Sequence, residues 1–430
     1  MPDGKFSPRP DASDSVASHP TQKAIAIEER PCNGLPPSPG RGGSPAKARE
    51  SERRRAGWGE PQATRRRALR ILAAVAGVPL VIAAVRASAP KGQFFTWHGE
   101  VLDAVSELTL WHTDSAFAQR TILRARHEIE RFERIFSLYR QDSEISRLNA
   151  AGRLVKPSSE LRELVDESQR LGELSGGAFD ISVQPLWRLY EAHFWSHAAV
   201  QADIAARARD VARALVDFRM IDGGASSIGF ARAGMAITLN SLAQGYVTDF
   251  VADMLRNEGF ESAVVDLGEF RTLGRHPDGR PWRLGIRSGK VSDTLDRMLE
   301  LEDTALAVSG GYGTTFEPSG RFHHIFDPHT GASANTLLDV AVLGPRATTA
   351  NGLSTGICVT GEAQAPKLLA AYPGTQAMLT RLDGTTVTLT SKPIGFGLKP
   401  RDRSQSARCN PACGVEGRAI PHHYSDFRSN

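Results

Sequence analysis

The chain has 430 residues, 40% hydrophobic and 23% charged, with 40 Gly, 25 Pro and 4 Cys; this excludes collagen, coiled coil, a disulfide-stapled miniprotein and a polytopic membrane protein. Its net charge of +4 is unevenly placed: residues 1–90 carry 15 Lys and Arg against 8 acids, residues 393–430 carry 6 against 3, and residues 91–392 carry 31 against 37. The body is therefore acidic, which argues against a nucleic-acid partner, because such binders cluster basic groups on the folded surface.

Residues 1–63 are rich in Pro, Gly, Ser, Arg and Ala without an apolar period, and read as a disordered leader. Residues 64–89 follow as a signal segment. Thr64-Arg65-Arg66-Arg67-Ala68-Leu69-Arg70 leads into the uncharged apolar run Ile71 to Val85, and Ala87-Ser88-Ala89 is a small-residue exit. The run is shorter than the roughly 20 residues of a membrane-spanning helix. Paired arginines before a moderately apolar core resemble the twin-arginine export signal, a receptor-read address. A buried amphipathic helix is the competing reading. No Cys follows the run near residues 86–90, so no acceptor for a lipid anchor is offered there, and a soluble periplasmic protein is expected. Cys409 and Cys413, near His422 and His423, make only a weak zinc pattern. Residues 393–430 read as a disordered tail.

Within the body, Ile122, Ala125, Ile129, Phe132 and Phe136 recur at helical spacing and predict a helix over Gln119 to Phe136. A second helix is predicted from about Ser159 to Leu174. A third, capped by Asn240-Ser241, carries Leu242, Tyr246, Val247, Phe250, Val251 and Leu255. Short β-type runs lie at Ala236–Leu239, Ala263–Leu267, Leu284–Ile286, Thr304–Val308 and Val340–Leu343. Gln376–Leu382 and Thr385–Leu389 read as a hairpin turning at Asp383-Gly384. Helices and strands mix without strict alternation, which predicts a single large α+β domain, a mixed sheet with packed helices.

Four clusters carry candidate chemistry. Ser175-Gly176-Gly177-Ala178-Phe179-Asp180 lets backbone approach a ligand while Asp180 faces it, though a plain turn has the same pattern. Asn240-Ser241-Leu242-Ala243-Gln244-Gly245-Tyr246 sits where a strand meets a helix start, which suits a phosphate as well as it suits an ordinary cap. Val308-Ser309-Gly310 leads to His323-His324-Ile325-Phe326-Asp327-Pro328-His329-Thr330-Gly331; the adjacent histidines point to opposite sides, so at most one faces a given site. In Ala347–Gly356, Asn351 and Thr355 are four apart on one helical face, where both reach a hard cation through oxygen.

Taken in order, these clusters resemble the FAD:protein FMN transferase family, also named thiamine-biosynthesis lipoproteins. The likeness runs from about Glu100 to Leu389 and includes Phe136-Ser137-Leu138-Tyr139, Gly176-Gly177-Ala178-Phe179-Asp180, Ala243-Gln244-Gly245-Tyr246-Val247-Thr248-Asp249, Val308-Ser309-Gly310 and His324–Gly331. The resemblance implies that residues 95–392 are a flavin transferase domain. It implies that Tyr139 stacks on the flavin, that Ala178, Phe179 and Asp180 line its pocket, and that Thr238, Gln244 and Ile325 complete the contact. Mg²⁺ would be held near Ser241, Asn351 and Thr355 with Ser354 adjacent. The implied reaction moves FMN from FAD to a Ser or Thr hydroxyl of an acceptor flavoprotein with release of AMP, and His324 is the expected base.

Three departures stand out. Asn351 replaces the family's usual metal-binding Asp, Gln244 replaces its Lys, and a Gly-Gly-acid turn is reduced to Gly268-Glu269. With the arginine signal, these resemble the exported branch associated with nitrous oxide reductase maturation, whose acceptor would be a membrane-anchored flavoprotein. A FAD-binding carrier or electron-transfer subunit without transferase activity is the alternative, favoured by Asn351 and Gln244. A metal-dependent phosphoester hydrolase is the third reading.

Overall fold

The computed structural model describes residues 25–27, 92–194, 203–287 and 295–391. The arginine-led run and the tail after residue 391 lie outside these. Among the described residues no helix is long and apolar enough to cross a membrane.

The predicted amphipathic stretches form helices that bury the expected faces. Helix α1 (Ser115–Phe136) buries Ala118, Thr121, Ala125, Ile129, Phe132 and Phe136 at three- and four-residue steps. It begins four residues earlier than the apolar period shows, because the Asp114 carboxylate accepts the Phe117 N–H at 3.0 Å and caps it. Helix α2 (Glu144–Ala151) is capped by Ser143, and α3 (Ser159–Ser175) by Ser158. Two short helices, α4 (Gln184–Phe194) and α5 (Ala206–Arg213), form a smaller lobe whose apolar centre includes Leu186, Tyr190 and Phe326. The remaining helices are α6 (Asn240–Asn257), α7 (Ala347–Thr360) and α8 (Ala365–Ala370).

The strands in chain order are β1 (Ile25–Ile27), β2 (Gln93–Val101), β3 (Ala104–His112), β4 (Arg153–Val155), β5 (Ile221–Gly223), β6 (Ser227–Phe230), β7 (Ala263–Asp266) and β8 (Phe270–Leu273). They continue as β9 (Trp282–Arg287), β10 (Leu295–Leu301), β11 (Ala305–Gly310), β12 (Phe326–Asp327), β13 (Ala332–Ser333), β14 (Asp339–Gly344), β15 (Gln376–Thr380) and β16 (Thr386–Thr390). Eight of them build one sheet in the order β16-β15-β14-β11-β8-β7-β3-β2, antiparallel at each pairing. The α+β class is the one expected.

Side-chain alternation assigns the two faces of the sheet. On β14, Val340 and Val342 join the core shared with α1, α6 and α7, while Ala341 and Leu343 pack with Trp282, Leu284 and Ile286 of β9. Both faces are covered, which is why β14 reads as a continuous apolar run. The strand β1 pairs antiparallel with β9, with Ile25 opposite Ile286, so three residues of the leader lie on a sheet edge where disorder was expected.

Two expectations are corrected. Ala236–Leu239 is largely buried but joins no ladder. The Asn149 side chain takes a strand partner's place, its Oδ1 accepting the Ile237 N–H at 2.7 Å and its Nδ2 donating to the Ile237 carbonyl at 2.8 Å. The α6 start also lacks the predicted Asn or Ser cap, because the helix begins at Asn240 itself, whose N–H the Thr238 hydroxyl accepts at 3.3 Å. At Gly245 a Cβ would lie 2.5 Å from the Ala347 carbonyl oxygen, so only glycine lets α6 and α7 approach this closely.

Candidate active site

The four clusters, far apart in the chain, meet at one cavity of about 1410 Å³. Tyr139, Ala178, Phe179, Asp180, Thr238, Ser241, Gln244, His324, Ile325, Asn351 and Thr355 all line it. Of the sequence-predicted residues, only Ser354 stands off the wall. It is fully buried behind, its hydroxyl 2.7 Å from the Ser309 Oγ and donating to the Asn351 carbonyl at 2.9 Å. Ser354 thus stands behind the wall, against Ser309, while Asn351 and Thr355 on the same helix line the cavity.

Tyr139 sits in the loop between α1 and α2. Its Oη donates to Asp103 Oδ2 at 2.9 Å and half of its surface stays exposed, leaving a ring face open to the cavity. Burial and the Asp103 carboxylate push its pKa up. Asp103 and Leu102 form the β2–β3 turn with φ of 67° and 49°, both left-handed without glycine. The same turn holds Gln244, whose Nε2 donates to the Leu102 carbonyl at 3.3 Å. This turn therefore sets two of the predicted flavin residues, and nothing in the sequence pattern pointed to it.

Asp180 corrects a second expectation. Its carboxylate turns away from a ligand and into the protein, accepting Ser182 N–H at 2.8 Å, Ser182 Oγ–H at 2.6 Å and Phe218 N–H at 2.9 Å. Burial pushes its pKa up to about 6, against the opposing hydrogen bonds. These bonds tie the turn that carries Ala178 and Phe179 to the Phe218 backbone.

The two histidines make different contacts, although neither lies in a strand: His323 forms an isolated bridge with Thr315, and the strand β12 begins only at Phe326. His323 is buried; its Nδ1 accepts the Ile325 N–H at 3.3 Å and its Nε2 faces Asn335 Oδ1 at 3.2 Å, so both ring nitrogens are used structurally. His324 lies on the cavity wall, and its Nδ1 lies 3.1 Å from the Thr314 carbonyl. A carbonyl only accepts, so Nδ1 carries the proton and Nε2 presents a lone pair. Burial, with His323 nearby, lowers the His324 pKa to about 4, which keeps the ring neutral at physiological pH.

The opposite wall holds oxygen donors. Asn351, on α7, donates from Nδ2 to Glu269 Oε1 in a short contact, and its Oδ1 is buried without a hydrogen-bond partner among the described residues. The Thr355 Oγ1 lies 3.2 Å from Ser309 Oγ. Burial raises the Glu269 pKa well above the usual carboxylate range, with Asp266 adding to the rise. Among the described residues no three His, Cys, Asp or Glu side chains group as a metal site. The donor set is instead amide, hydroxyl and one or two carboxylates, with an orphaned carbonyl oxygen. That chemistry fits a hard cation such as Mg²⁺, which completes its shell with substrate phosphates and water. Glu269, Asp266, Ser309 and Asp103 were not assigned from the sequence; two acids beside the otherwise apolar Ala263–Leu267 run were the available signal.

The chain is similar to several known proteins. The chain is 35% identical over 235 residues to a FAD:protein FMN transferase of Vibrio cholerae, covering 53% of this chain and 69% of the relative. It is 30% identical over 267 residues to the Haemophilus influenzae protein of the same name, covering 59% and 77%. Among solved structures, the flavin transferase ApbE from Vibrio cholerae superposes with a TM-score of 0.60 at 26% identity, covering 70% of this chain and 97% of that one. The apo flavinyl transferase ApbE of Pseudomonas stutzeri gives 0.59 at 27% identity, covering 70% and 95%. Since the ApbE family model also matches residues 102–379, well over half of the sequence, the chain belongs to the ApbE family.

Proposed function

We propose that this protein transfers FMN from FAD to a Ser or Thr hydroxyl of an acceptor flavoprotein, with AMP as the other product. The observation that carries the reading is that a half-exposed tyrosine, a neutral histidine whose Nδ1 is held by a carbonyl, and a set of oxygen donors all line one cavity. FAD would lie with its isoalloxazine against Tyr139, Ala178 and Phe179, and its pyrophosphate towards Ser241, Asn351 and Thr355. Thr238, Gln244 and Ile325 close the intervening wall.

His324 Nε2 accepts the proton of the acceptor hydroxyl as that oxygen bonds to the FMN-side phosphorus. The phosphorus–oxygen bond to the AMP side breaks, and AMP departs with the bridging oxygen. The Thr314 carbonyl holds Nδ1–H throughout, so the imidazole meets the hydroxyl in the right tautomer. Ser241, Asn351 and Thr355 would hold Mg²⁺, which would supply charge neutralisation on the pyrophosphate.

Residues 64–89 support export by the twin-arginine route and a periplasmic location. Together with Asn351 and Gln244, they support a place in nitrous oxide reductase maturation, with a membrane-anchored acceptor.

Incubation of the pure protein with FAD, Mg²⁺ and an acceptor domain bearing a Ser/Thr flavinylation motif tests the reading. The expected result is AMP release with a covalently fluorescent acceptor. Bound FAD without AMP would leave a carrier, and AMP release without a labelled acceptor would leave a hydrolase. Tyr139→Ala is expected to weaken FAD binding by about threefold to tenfold, the loss of one aromatic stacking contact of roughly 0.5–1.5 kcal/mol, read by flavin fluorescence titration. An unchanged affinity would remove Tyr139 from the flavin site.

A further inference from the structure

We infer that Glu269 and Asn351 act as one divided ligand for the divalent cation, the amide supplying the coordinating oxygen and the carboxylate supplying the charge. The inference rests on the flavin-transfer reading of the cavity and adds to it a residue from a different element. Asn351 comes from α7, whereas Glu269 comes from the tight β7–β8 connection, where Gly268 has φ of 99° and Leu267 N–H donates to the Glu269 carbonyl at 3.2 Å. A Cβ at Gly268 would lie 2.8 Å from Gln244 Cδ, so the connection is pressed against the cavity wall.

The hydrogen bond between the two side chains fixes the amide. An Asn can be turned end for end, but beside an ionised Glu269, as in the cation-bound site, its carbonyl oxygen would then meet the carboxylate, acceptor against acceptor. The Nδ2–H therefore faces Glu269 and Oδ1 faces the other way, 3% exposed as a residue and without a partner among the described residues. A buried carbonyl oxygen left without a donor is costly, and a cation at that point satisfies it. A neutral amide contributes no charge, but with a divalent cation at the amide oxygen the Glu269 carboxyl is held ionised, and its negative charge stands one hydrogen bond behind the coordinating oxygen. This polarises the amide towards the cation, the part that an outer-sphere carboxylate plays at other metal sites. Glu269 is 5% exposed and itself lines the cavity, so it belongs to the same wall.

Mn²⁺ binding to the full chain in the presence of FAD, followed by the electron paramagnetic resonance of free Mn²⁺, tests this without turnover. Glu269→Gln leaves two facing amides and is expected to weaken Mn²⁺ by about tenfold or more. The double variant Glu269→Gln with Asn351→Asp restores one carboxylate and one amide with roles exchanged, and is expected to bind within about threefold of the unaltered protein. Equal affinity of Glu269→Gln and the unaltered protein would overturn the inference while leaving flavin transfer intact. If Glu269→Gln does not fold, the double variant decides, because it keeps the size and charge of the original pair; a folded double variant that no longer binds Mn²⁺ overturns the pairing. Absence of Mn²⁺ binding by the unaltered protein would overturn the metal reading of the cavity along with it.

Discussion

Replacing His324 by alanine lowers the rate of flavin transfer by about 10²–10⁴-fold while FAD stays bound, the range expected for loss of a positioned general base. The loss falls on the chemical step because the imidazole's free nitrogen faces the cavity but its other nitrogen is held by protein. FAD binding, read by fluorescence, draws on Tyr139 and the far wall and is retained. Full transfer by the variant would remove His324 as the base.

The pH dependence sharpens the test. An ordinary imidazole takes up a proton near pH 6.5, but burial holds His324 to about 4. The acid limb of the transfer rate is thus expected well below 6.5. The same shift has a stability consequence with a definite sign. The unfolded chain binds a proton at this histidine between about pH 6.5 and 4 and the folded chain does not, so its contribution to stability is present above 6.5 and fades as pH falls towards 4. Asp180, raised to about 6, works in the opposite direction over the same window, since its folded form is the better proton acceptor. Comparing His324→Ala with the unaltered protein isolates the histidine: denaturant midpoints of the variant should fall less steeply from pH 6.5 to 4.

How far the sequence reached is clearest from elements that went differently. Periodicity found α1, α3 and α6 because each buries one stripe, and it found β14 because each of its faces is covered. It missed the β2–β3 hairpin because Leu102 and Asp103 turn left-handed without the Gly or Asn that usually marks such a turn. It read Ala236–Leu239 as a strand because burial gives a segment the same composition whether its partner is another backbone or the Asn149 side chain. The ordered motifs brought Tyr139, Phe179, Gln244, His324 and Asn351 to the cavity wall, but not Asp103, Asp266 or Glu269. Direction was another matter: which way Asp180 and Ser354 point depends on a 3-10 turn and on helical phase, and the pairing of Glu269 with Asn351 spans 82 residues of sequence.

Asp249→Ala is expected to destabilise the protein by about 3–5 kcal/mol, the cost of breaking a buried ion pair from one side. The carboxylate is fully buried on α6 and does the capping that Arg346 does not do for α7. One oxygen accepts the Ala347 N–H at 2.9 Å and Arg271 Nη1 at 2.9 Å; the other accepts the Thr348 N–H at 2.9 Å and its hydroxyl at 2.7 Å, with Arg346 Nε at 3.2 Å. Truncation strands two helix-start N–H groups and leaves the Arg271 guanidinium, 6% exposed, with Asp253 as its remaining ion-pair partner among the described residues. Asp249→Asn keeps an acceptor of the same shape and should lose less, which separates the charge from the cap. The damage should also reach the active site. Gly245, one turn earlier on α6, seats the first residue of α7, and α7 carries Asn351 and Thr355 to the cavity, so a loosened helix start moves the donors that face the pyrophosphate. Thermal and urea unfolding measure the first effect and Mn²⁺ affinity of the folded variant the second. A loss below about 1 kcal/mol would show that Asp249 is an ordinary polar residue in the core and that α7 is held in place by its apolar face alone.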